Sequence, residues 1–366
     1  MPARFLPLQK NFCCPRIINM PNMGVRSYIF AKACGVISKS FTGRRIHRLE
    51  SVDRLSELDR MVFHSASRGL PEKELLIDLE DRIIERAVDS IISLVDNFSQ
   101  VPEFIALLVR SYEYADVKNI LTAFLEGEKS LPAYIDLGRF RTVRFENWPD
   151  IAGMIRGTDF EFLLDREGNL NQESGISLQT VLDRHYYRVL WESLCHLPAR
   201  DRLAAEKILA AEISLRNSGW ALRLQTYYGM PAQEVISHLV DIPVRRNGRG
   251  QVKSGKESLA GDAIKSLDFS LDMRRDWNSW RWEKFLNPET PDAHWHADPR
   301  FFQNAASLYL YRLAKHYFRL SPFSLDTVFC FIKLKQFEED ILTSCAEGLG
   351  MGISCAEIIT ILRIES

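Results

Sequence analysis

The sequence lacks the apolar run of roughly 18–20 residues that a helical membrane span requires. It has no CxxC pair, although it carries seven cysteines, at 13, 14, 34, 195, 330, 345 and 355. An odd number without paired spacing argues against a disulfide framework. It fits a reducing, cytoplasmic compartment, with most thiols acting as small buried hydrophobes. Charge of one sign is also missing: the formal net charge is −1, and nothing global points to nucleic acid or an anionic membrane. Strand signal is thin. Only "YIDLGRFRTVRF", 134–145, alternates weakly and reads as extended. No Ser–His–Asp or Cys–His arrangement is identifiable, and the acidic residues are scattered over amphipathic helices.

What is present is helix. The 366 residues, 46% hydrophobic and 26% charged, describe an ordinary globular composition with room for more than one domain. "GLPEKELLIDLEDRIIERAVDSIISLVDNF" is strongly amphipathic. Pro71 stands near its start and Glu72 and Glu74 lie in its first turn, where the helix dipole favours them. Leu76, Leu79, Ile83, Ala87, Ile91 and Leu94 form its stripe. Further helices are predicted at about 101–126, 178–195, 199–224, 231–240, 299–319, 324–347 and 355–363. "EGLGMG", 347–352, stops one of them, and a capping box from Ser354 to Glu357 starts the next. Residues 1–23 carry prolines and no periodicity, and Lys10 and Arg16 interrupt their apolar stretches. They read as a disordered extension, or as an overlong start with Met20 or Met23 as the first residue.

"SYEYADVKNILTAF", 111–124, is the unusual stretch. With "FIALLVR" before it, Ile105, Leu108, Tyr112, Asp116 and Asn119 share one stripe, while Val117, Ile120, Leu121 and Phe124 make a second apolar face. A helix apolar on most sides is packed inside something, so Asp116 and Asn119 are expected to be buried. The i, i+3 pair recurs as Ser214 and Asn217, and Glu338 and Ile341 fall at the same two positions. A period of about 100–120 residues predicts an all-α chain of three related helical-bundle domains. Their bounds are 24–129, 130–235 and 236–366, the last with a basic loop at 245–262.

These helices carry a resemblance. "YEYADVKNILTAF" resembles the Tyr-x-x-x-Asp-x-x-Asn-Leu/Ile-x-x-x-Leu/Phe helix of the C/d subunits of V-type (archaeal/vacuolar-type) rotary ATPases. "IKLKQFEEDILTSCAEGLGMG" is similar to that family's C-terminal Lys-Glu-x-Glu-x-x-Asn-Ile/Leu helix and the turn after it, with Lys335, Glu338, Ala346 and Glu347 in place. "SLQTVLDRHYYRVLWESL" and "GVRSYIFAKACGVISKSFTGRRIHRL" extend the likeness over residues 24–366. Gln336, Ile341 and Ser214 depart from the pattern. The resemblance implies a pseudo-threefold funnel without catalytic site or cofactor. Its partners would be the central-stalk subunits and the membrane rotor-ring proteolipid. It implies a peripheral, cytoplasmic position on the membrane complex and a role coupling stalk rotation to the ring during H⁺ or Na⁺ transport or ATP synthesis. Tyr112, Asp116, Asn119, Asn217, Lys335 and Glu338 would then register the helices: a buried polar group, once paired, pins one register against its alternatives.

Other signals point elsewhere. "GQVKSGKES", 250–258, nearly spells a P-loop, but Glu257 stands where Ser or Thr would hold magnesium and no apolar strand precedes it. Arg245, Arg246, Arg249, Lys253 and Lys256 make this loop a candidate partner contact. The competing reading is a helical scaffold whose basic loop binds an acidic partner or RNA. Asp292, His294, His296 and Asp298 offer metal-ligand chemistry without a distant third ligand. Trp277, Trp280 and Trp282, interleaved with arginine, fit aromatic packing under a helix better than base stacking. Arg139, Arg141 and Arg144 would be an exposed edge or a partner surface.

Overall fold

The computed structural model describes residues 23–64, 69–171, 177–243, 258–290 and 294–362. In chain order its α-helices are α1 (Met23–Ile37), α2 (Leu55–Phe63), α3 (Glu72–Val95), α4 (Glu103–Val109), α5 (Ser111–Glu126), α6 (Ile151–Ile155), α7 (Leu178–Cys195), α8 (Leu203–Tyr228), α9 (Ala232–His238), α10 (Gly261–Ser266), α11 (Pro299–Leu320), α12 (Leu325–Gly350) and α13 (Cys355–Ile361). A 3₁₀ segment, Gly43–Ser51, joins α1 to α2. The fold is all-α. Strand pairing among the described residues is limited to two isolated bridges, Leu164 with Leu170 and Pro243 with Ser258. The 134–145 stretch folds into short 3₁₀ turns at Gly138–Phe140 and Phe145–Asn147 rather than a strand.

Proline and glycine set the helix limits. Pro71, Pro102 and Pro231 immediately precede α3, α4 and α9, where a missing N–H costs nothing. Gly127 and Gly229 close α5 and α8 in the left-handed conformation, which glycine adopts without a Cβ clash. "EGLGMG" behaves differently from its sequence reading. The helix continues to Gly350, and Gly352 makes the turn with φ 78°. At Gly348 and Gly350 an added Cβ would stand 2.7 Å from Ile358 and 2.9 Å from Leu76, so those side chains would have to shift to admit one.

Three helices run parallel and in fixed register. Between α8 and α12, Asp326 meets the Ala204 and Ala205 N–H groups, and two turns on Lys333 meets Glu212. Between α4–α5 and α12, Phe104 stacks on Phe329 with ring centroids 5.6 Å apart, and further along Tyr112 bonds Glu339. α7 bridges α5 to α8, its Asp183 pairing with Lys118 and Arg216. α1 follows α12 in the same sense, from Arg26 at Phe323 to Phe41 at Glu338. The main core draws on residues from Ile29 to Ile359. A second, Trp-rich core packs α8 against Trp277, Trp280, Trp282, Trp295 and Phe302, and a third lies under α9 and α10. Each fully buried large side chain contributes about 1.5–3 kcal/mol of transfer free energy.

Candidate functional site

Several polar groups on the buried faces of the parallel helices have specific partners. On α5, Glu113 is fully buried and accepts the backbone N–H groups of Thr142 and Val143, the latter at 2.8 Å. One turn on, Asp116 accepts the Ile135 N–H at 3.1 Å. On α8, Asn217 is fully buried. Its amide accepts the Val240 N–H at 2.8 Å and donates to the Val240 and Leu259 carbonyls at 2.9 and 3.4 Å. On α12, Glu338 accepts the Phe41 N–H at 2.8 Å and pairs with the Lys335 ammonium, both side chains being buried.

Glu113, Asn217 and Glu338 stand at one height on the three helices and perform one task. Each clamps the backbone of a connecting segment against a long helix. This register corrects the sequence alignment, which paired Asn119 with Asn217 and Ile341. Asn119 lies on the exposed face of α5, because Glu113 and Tyr114 turn inward instead. Phe124 is also partly exposed.

Electrostatics separate the carboxylates. Burial raises Glu338, but the Lys335 ammonium and the Phe41 N–H outweigh it and hold the carboxyl below its ordinary value. Burial pushes Asp116 up to about 7, against the opposing Ile135 N–H. Glu339 is likewise pushed up to about 7 by burial, although the Tyr112 hydroxyl donates to it at 2.6 Å. Asp340 lines a recess between α8, α11 and α12, whose walls desolvate its carboxyl and push it up, against the opposing Lys333 ammonium. A polar chain crosses the same helices: Lys118–Asp183–Arg216, then Tyr187–Glu212–Lys333. Ser214 accepts from the Trp282 indole and donates to Asp262.

This arrangement has the chemistry of a locked helix assembly, with carboxylates spent on backbone amides and cations. The family profile described as "ATP synthase (C/AC39) subunit" matches residues 70–360. The chain belongs to this family. A protein of Treponema pallidum (strain Nichols), described as an uncharacterized protein, is 26% identical over 325 residues, covering 89% of this chain and 92% of its own. The likeness to the C/AC39 subunits therefore includes the helices that hold Tyr112, Asp116, Asn217, Lys335 and Glu338.

The remaining sequence signals resolve within this C/AC39 fold. Each indole of the Trp-rich segment has a partner: Trp277 bonds the Ser270 carbonyl, Trp280 the Asp262 carbonyl and Trp295 the Asn287 carbonyl. Arg281 lies over the Trp282 ring at 4.4 Å. The rings are core. His294 and His296 both face Asp272, at 3.3 and 2.7 Å, and no group of three or more metal-ligating side chains forms among the described residues. Asp298 instead caps α11; Asp292 lies outside the described residues. Arg139 pairs with Asp96 at 2.8 Å. Cys330, Cys345 and Cys355 are buried, Cys34 is partly so and Cys195 is exposed. Residues 1–22 and the basic-loop residues Arg245, Arg246, Arg249, Lys253 and Lys256 lie outside the described residues, and Met23 opens α1. None of the described helices is long and apolar enough to cross a membrane.

Glu113 is the residue that sequence reasoning missed. It sits between two tyrosines and reads as a solvent-side charge. A signal was available: Glu113 lies fourteen residues before Gly127, and Glu338 fourteen before Gly352. Aligning these two turn glycines pairs Glu113 with Glu338, whereas Asn217 lies twelve residues before Gly229 and does not keep the spacing.

Proposed function

We propose that the chain is a non-catalytic coupling subunit of a V-type ion-translocating ATPase, joining the rotating central stalk to the membrane proteolipid ring. Its three related helical domains, 24–129, 130–235 and 236–366, form a pseudo-threefold funnel at the cytoplasmic face. Family membership carries this reading. The three parallel helices, each clamped by one buried polar side chain, support it: torque passing through the subunit loads its helices in shear, and paired buried groups oppose sliding. Tyr112, Asp116, Asn217, Lys335 and Glu338 are the registering groups. The basic loop of Arg245, Arg246, Arg249, Lys253 and Lys256 is a partner contact. The test is purification of the tagged protein from its native membranes in mild detergent, with mass spectrometry of what accompanies it. Catalytic nucleotide-binding subunits and a small ring proteolipid are expected. Their absence from a preparation rich in RNA would replace this reading with the scaffold.

A further inference from the structure

Two stretches of the chain contain no acidic residue. The first Asp or Glu is Glu50, and residues 299–325 contain none. The fold brings these stretches together. The Gly43 N–H donates to the Tyr311 hydroxyl at 2.8 Å, and a Cβ placed on Gly43 would stand 3.4 Å from the Lys315 ammonium. These contacts set the start of the 3₁₀ turn, which is held by the buried Ile46 and Leu49 and carries Arg44, Arg45 and Arg48, against the stretch of α11 that carries Arg312, Lys315 and Arg319. Arg44, Arg48, Arg312 and Arg319 are exposed, and Arg45 and Lys315 partly so. Among the described residues none of the six forms an ion pair. Arg45 donates only to the Lys39 carbonyl and Lys315 lies over the Tyr311 ring.

We infer that this strip, made of the 43–51 turn and the outer face of α11, is a docking surface for an acidic segment of a partner protein. Arg312, Lys315 and Arg319 are spaced i, i+3 and i+7, so they form one row about 10 Å long, while Arg45 and Arg48, three apart on the 3₁₀ turn, share a face and Arg44 lies on the neighbouring one. Six cations without an ion pair among the described residues are complementary to a helix or strand bearing several Asp and Glu. A bilayer is a poorer fit. Membrane-surface elements set large apolar side chains among their cations, and here the one such exposed residue is Leu320, at the strip's end. Single-stranded nucleic acid is poorer still, because stacking needs exposed rings, while Tyr311 is buried and Tyr317 is partly buried and holds Lys207.

The inference does not depend on the ATPase reading. It is tested with the full chain and a fluorescent 20-residue glutamate peptide, competed by phosphatidylglycerol vesicles and by polyuridylate. Binding that weakens steadily with salt is expected. R312E/R319E and R44E/R48E should each weaken it about tenfold or more with the melting temperature preserved, while neutralising the five cations of the 245–256 loop leaves it in place. R312A/R319A replaces the reversal if that variant fails to fold. No binding at low salt, binding lost only in the loop variant, or tighter binding to vesicles or RNA through the same residues would overturn the inference.

Discussion

Asp201 and Asp326 cap each other's helices. Asp201, just before α8, faces the Leu325 N–H at the start of α12, at 3.4 Å. Asp326, in the first turn of α12, accepts the Ala204 and Ala205 N–H groups at the start of α8, at 3.1 and 3.0 Å. Two helix N-termini, each with unsatisfied amides and a partial positive charge, are joined by exchanged carboxylates. This fixes the level at which both helices begin.

Removing the stronger half of this exchange is expected to be costly. Asp326→Ala should lose about 1–2 kcal/mol of stability in urea unfolding, and Asp326→Asn distinctly less. A double-mutant cycle with Asp201→Ala should show coupling. Strict additivity would mean that the two caps act independently.

The clamps differ in what their loss leaves behind. Asn217→Leu strands the buried Val240 N–H and should cost about 1–3 kcal/mol. Glu338→Leu leaves the Lys335 ammonium buried without its partner, a class of change costing about 3–5 kcal/mol. Lys335→Met together with Glu338→Leu should be less damaging than Glu338→Leu alone, since both charges are gone. Thermal unfolding of the three variants distinguishes these outcomes.

Asp116 and Asn119, alike in sequence, should behave oppositely. Asp116→Ala removes the acceptor of the Ile135 N–H and should lower the melting temperature. Asn119→Ala, on the exposed face, should stay within about 0.5 kcal/mol of the parent.

Asp116 also makes stability depend on pH. Its folded carboxyl is raised from 3.8 to about 7, so between those values the folded state holds a proton that the unfolded state has released. Its contribution to stability is complete below the unfolded value and is lost as pH rises toward 7. Asp116→Asn should flatten the fall in melting temperature between about pH 4 and 7. An unchanged slope would place the titration elsewhere, for example at Glu339, which burial also raises to about 7.

The helices were legible because their burial follows the 3.6-residue period. The stripe Leu79, Ile83, Ala87, Ile91 and Leu94 on α3 is buried as its spacing predicts. Leu76 is only partly covered, and Leu75 is the buried residue of that turn. The burial of Asp116 followed from its neighbours. The burial of Glu113 did not, since a charge beside two tyrosines gives no periodic signal and its partners, Thr142 and Val143, lie thirty residues away. The recurring Ser/Asp–x–x–Asn pair set the repeat a few residues out of register. Backbone partners, not side-chain type, decide which of two neighbouring polar residues turns inward.

Glu338 takes its backbone partner not from the chain that follows it but from Phe41, at the far end of the sequence. In an open repeat array the end units bury fewer faces and need dedicated caps. Here the last long helix is completed by the first segment, and α13 packs on the 43–51 turn through Cys355 and Val52. The first described segment and the last long helix therefore share one clamp, so loosening residues 38–42 undoes the same clamp as loosening α12.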